Sequence, residues 1–86
     1  MNRRALLEDS AQRSIRYLET LEARGVAPQA TAVSLVDRLA GPLPEASSEP
    51  SETLALLDDI GSPASIAMAG PRFFGFVIGG SLPITL

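Results

Sequence analysis

The chain has no cysteine, no histidine, no lysine and no tryptophan among its 86 residues. Without cysteine there is no disulfide staple, no thiolate nucleophile and no zinc–thiolate site. The same absence suits a reducing compartment, and a cytoplasmic location is expected. Without histidine the chain lacks the commonest general base near neutral pH and the commonest metal ligand. Without lysine it lacks the side chain that forms a Schiff base with a carbonyl cofactor. Catalysis by this chain alone is therefore not expected.

Charge and long apolar runs are also in short supply. The seven cations are all arginines, scattered along the chain, against ten acidic residues and a net charge of −3. A nucleic-acid footprint needs clustered cations, so no nucleic-acid partner is expected. At the start, Glu8 and Asp9 interrupt the apolar core that a signal peptide would need. The uncharged run from Phe73 to Leu86 is 14 residues long and contains one proline and three glycines. A membrane-spanning helix needs about 20 apolar residues, so no membrane segment is expected. A membrane-surface role is disfavoured too, because Glu8, Asp9, Glu19 and Glu22 cancel Arg13 and Arg16.

Helical periodicity is clearest in the first quarter of the chain. Leu7, Ala11, Ser14, Ile15, Leu18 and Leu21 recur at spacings of three and four and predict one apolar stripe. The spacing predicts a helix from about Arg3 to Arg24, closed by a left-handed cap at Gly25. Asp9, Arg13, Arg16 and Thr20 fall on the opposite face, which is expected to be solvated. After Pro28, Thr31 is positioned to cap a shorter helix carrying Ala32, Leu35, Val36 and Leu39. Gly41-Pro42 stops it, and residues 41–48 read as an exposed Pro/Ser linker.

A helical segment is expected over residues 49–70. Pro50 suits a first turn, and Glu49 and Glu52 complement the positive end of the helix dipole. Leu54, Leu57 and Ile60 are predicted to face a core and Gly61 to end the turn. The adjacent pair Asp58-Asp59 points in directions about 100° apart on an α-helix, so it reads as solvated rather than as a metal or acid/base pair. Ser62, Pro63 and Gly70 then bracket a short fourth helix. Beyond Pro71 helical period is lost. The fold class expected is mostly α, with three to four short helices, a linker, and a non-helical hydrophobic segment over residues 71–86.

That last segment, "GPRFFGFVIGGSLP", follows "LDDIGSPASIAMAG". Together they resemble the N-terminal region of the pyridoxal-phosphate-dependent group II decarboxylases, a family of carboxy-lyases of the aspartate-aminotransferase fold type (fold-type I). The resemblance extends to the opening amphipathic helix, the Leu-Pro-Glu linker and the acidic helix. It implies a segment that packs across a dimer near the mouth of an active site. Carried over, Pro71, Arg72, Phe73 and Phe74 match the structural part of the motif. Phe76, Gly79 and Gly80 fall where substrate-contacting loop residues lie in the family, and Ser81 and Pro83 match the start of the next helix.

Pyridoxal phosphate is the cofactor the resemblance implies for the family, but this chain supplies neither the lysine nor the histidine that would hold it. Its expected partner is a second subunit or a C-terminal domain outside these residues. Because the helix opening at Ser81–Pro83 stops at Leu86, the segment reads as interrupted. The alternative is a small helical interaction module that docks through an apolar tail.

Overall fold

The computed structural model describes residues 2–75 and 82–85. Helix α1 spans Arg3–Thr20, α2 Ala30–Ser34 and α3 Pro50–Leu56. No strand occurs among the described residues, so the chain is a small, mostly α-helical structure. None of its helices among these residues is long and apolar enough to cross a membrane.

Helix α1 begins where Asn2 holds extended backbone (φ −79°, ψ 171°) and accepts a hydrogen bond from the Ala5 N–H at 2.8 Å. That bond satisfies one of the donors left free at a helix start. Replacing Asn2 with alanine is expected to cost about 1 kcal/mol, read as a lower midpoint of thermal unfolding by circular dichroism. An unchanged midpoint would show that the cap contributes nothing. The helix closes through a 3₁₀ turn at Leu21–Ala23, and Arg24 leaves it at φ −89°, ψ 149°. Gly25 is thus not the left-handed cap expected, and no described glycine has positive φ. The tightened turn and extended Arg24 end the helix instead.

The next two elements also differ from expectation in detail. Gln29, not Thr31, precedes α2, which passes into a 3₁₀ segment over Leu35–Leu39. Residues 40–49 carry no helix and are exposed throughout. Helix α3 starts at Pro50 as expected, then widens into a π-helical turn at Leu57–Gly61 before Ser62 closes it on the Asp58 carbonyl at 3.1 Å.

The fourth helix is absent. Ser62 ends one helix on helical backbone (φ −62°, ψ −49°), not the extended backbone with which a residue opens another. Ser65 turns back on the Ser62 carbonyl with its own N–H at 3.1 Å and its hydroxyl at 2.7 Å, and the Ala67 N–H goes to Val26 at 2.9 Å. A nine-residue segment offers few helical bonds to offset nucleation, and these competing bonds take the backbone elsewhere.

Three residues are buried among those described: Leu21 at 6% exposure, Ile60 at 9% and Ala67 at 2%. Gly70 lies against this centre, with the place of a β-carbon 3.4 Å from Leu21 Cγ. The Cα radius of gyration is 15.0 Å, against about 12 Å for a compact chain of this length. The helices therefore enclose little.

The packed face of α1 is the main correction to the sequence reading. The less exposed positions are Ala5, Leu6, Asp9, Ser10, Arg13 and Tyr17, continued beyond the helix by Leu21 and Arg24, again at spacings of three and four. Leu7 (64% exposed), Ile15 (43%) and Leu18 (42%), from the expected apolar stripe, face outward. Only Leu21 of that stripe is buried. A stripe containing an arginine packs inward because the π turn after α3 presents Asp58 and Asp59 as acceptors for that arginine.

Candidate functional site

An open groove runs along the seam between α1 and α3. At one end it is lined by Leu6, Leu7, Thr53 and Leu54, and at the other by Ser14, Tyr17, Leu18 and Asp58. Ser10, Leu54 and Leu57 border both ends. The larger part encloses about 460 Å³. Serines at 10 and 14 lie one turn apart on α1, so small side chains leave the groove open along its helical wall. Leu57 remains 56% exposed above it.

Arg13 sits at the inner end of the groove. Its Nη1 donates to Asp58 Oδ2 at 2.8 Å and to Asp59 Oδ1 at 3.4 Å, while Nε donates to Asp9 Oδ1 at 3.1 Å. The side chains of Arg13, Asp9 and Asp58 are 17%, 27% and 28% exposed, whereas Asp59 is 71% exposed. Partial burial makes the inner contacts more than a solvated surface pair. The hydrogen bond to Asp58 raises the Arg13 pKa above its ordinary value, with Asp9 adding to it and burial opposing it. A raised pKa contributes stability below the ordinary arginine range, hence at neutral pH, and the contribution is lost as pH rises through the titration of Arg13 in strong alkali.

Two expectations are corrected here. Asp9 and Arg13 are not a purely solvated pair, and Asp58 and Asp59 converge on one guanidinium nitrogen instead of projecting separately. The π turn changes the direction of adjacent residues relative to an α-helix, and Arg13 reaches both from across the seam. Among the described residues no group of three or more acidic side chains is placed to hold a metal ion.

A second cluster joins the end of α1 to the segment after α3. The Arg24 guanidinium lies over the Tyr17 ring at 5.1 Å, a cation–π contact. Its Nη2 donates to Ser62 Oγ at 3.3 Å, while Nη1 is buried without a hydrogen bond. Arg72 Nη2 donates to the Glu22 carbonyl at 2.9 Å and to the Arg24 carbonyl. These orphan carbonyls at a helix end accept a cation well. The sequence reading did not single out Tyr17 and placed Arg24 only in the last turn of the first helix. Their seven-residue spacing, which puts them on one helical face with Leu21, was the available signal.

Of the residues carried over by resemblance, Phe76, Gly79, Gly80 and Ser81 lie outside the described residues. Phe73 is half-buried and Phe74 is 94% exposed. The Phe73 ring occupies the space that a side chain at Gly75 would take, so a larger residue there requires the ring to move. Pro83 opens a 3₁₀ turn over Pro83–Thr85. Among the described residues of the motif, none lines the groove. No protein-family model matches the chain, and no curated protein or solved structure was found to match it.

Proposed function

We propose that this chain is a packing segment resembling the N-terminal region of a pyridoxal-phosphate-dependent amino-acid decarboxylase. In this reading it supplies helices and a Phe–Gly segment to a larger cytoplasmic assembly, and no catalytic group of its own. One observation carries the proposal beyond the motif. Three described residues are buried, whereas fifteen large apolar side chains stay exposed, Phe74 and Leu57 among them. Apolar surface on this scale favours cover by another polypeptide.

The residues at hand do not fit the cofactor. With no lysine and no histidine, the chain offers nothing to bond covalently to a carbonyl coenzyme or to stack on its ring as the family's histidine does. The chemistry would belong to the cofactor and to the body that holds it. The open α1/α3 groove favours a second reading, an interaction module whose apolar surface docks on a partner unrelated to that coenzyme.

A photo-crosslinking residue at position 74, in the chain expressed in its native cells, separates the two. Cross-linking to a lysine-bearing polypeptide that binds pyridoxal phosphate is the expected result. Cross-linking only to proteins without that cofactor would overturn the decarboxylase reading and leave the module. The purified chain mixed with pyridoxal phosphate is expected to show no Schiff-base absorbance, and amino-acid turnover by it alone would end the proposal.

A further inference from the structure

We infer that Arg13 is a positioning residue that holds the π-helical turn at Leu57–Gly61, and that this turn is a one-residue register switch at the inner end of the groove. A π turn bonds each amide to the carbonyl five residues back, so it takes up more chain than an α turn. Leu54 just before it and Leu57 at its first position line the groove. Ile60, inside the turn, is one of the three buried residues. Asp58 lies between them and receives Arg13 at 2.8 Å.

On an uninterrupted α-helix each residue advances by about 100°. Narrowing the turn while the groove wall stays in place would rotate Asp58 and Ile60 relative to α1. Asp58 then parts from Arg13, or Ile60 leaves the centre. The wide turn meets both demands, and the charge-assisted bond to Arg13 favours it over the ordinarily preferred α geometry. Release of Arg13 lets the turn narrow and re-phases everything after it, including Ser62, which Arg24 holds at 3.3 Å. Because Arg13 and Asp58 both line the groove, an occupant that parts them acts directly on the switch.

The test is nuclear magnetic resonance on the isotopically labelled 86-residue chain, reading hydrogen-bond couplings across residues 57–61 and amide exchange at Ile60. Arg13→Gln is expected to replace bonds spanning five residues with bonds spanning four, and to speed exchange at Ile60 at least tenfold. Persistence of the five-residue bonds in Arg13→Gln would overturn the inference. Deleting Asp59, the more exposed of the pair, removes the extra residue. That chain is expected to bond in the four-residue pattern with or without Arg13→Gln, and persistence of a wide turn in it would count against the switch. Should Arg13→Gln alone lose its helices, restoration by the Asp59 deletion supports the register role, and failure to restore them overturns it.

Discussion

Replacing Leu21 with alanine is expected to unfold the chain. Leu21 is 6% exposed, lies under Gly70, and is the single member of the predicted α1 stripe that is buried. Truncating a buried leucine to alanine costs about 2–5 kcal/mol. Small domains have total stabilities of roughly 5–15 kcal/mol, and a centre of three buried residues puts this chain at the bottom of that range. The far-ultraviolet circular dichroism of Leu21→Ala should therefore fall toward that of an unfolded chain at room temperature. A variant with wild-type helicity and an unchanged unfolding midpoint would mean that the helices are held by something other than this contact.

The opposite result is expected from the groove. Changing Leu18 and Leu57 together to aspartate should leave helicity intact and abolish concentration-dependent association. Both residues are exposed, at 42% and 56%, and surface substitutions away from special features usually stay within about 0.5 kcal/mol. Covering the exposed half of each leucine contributes about 0.7–1.5 kcal/mol. The pair is then worth roughly tenfold to a hundredfold in affinity, since about 1.4 kcal/mol is tenfold. Light scattering of the wild-type chain should rise with concentration while that of the double variant stays flat. Two flat profiles, or loss of helicity in the variant, would contradict a docking role for this face.

These two leucines show how the sequence pattern and the packing part company. Leu18 and Leu21 belong to one apolar stripe by spacing, yet one faces solvent and the other is the centre of the structure. A hydrophobic stripe assumes that the neighbouring element offers an apolar surface. Here the neighbour offers Asp58 and Asp59, and the face that packs is the one carrying Arg13 and Tyr17. The same long-range pairing made the solvated reading of Asp58 fail, while Asp59 stays 71% exposed. Neither residue has a charged partner close by on its own helix, and the nitrogen they share is 45 and 46 residues away.

Part of the local chemistry was readable. The absence of lysine, histidine and cysteine bounds the reactions open to the chain without any coordinates. The starts near Arg3 and Pro50 and the exposed stretch around residues 41–48 follow from capping, proline geometry and polar composition, which act within a few residues. The fourth helix failed because its amides were claimed by Val26 and by the preceding turn, and the first of those lies beyond any local window. Asp9 meets Arg13 as its four-residue spacing favours, but which face of α1 packs, where the helix widens and that Asp58 and Asp59 join them were decided only by tertiary contact. Spacing along a helix specifies which residues share a side, but the energy of burying that side depends on what the rest of the chain brings against it.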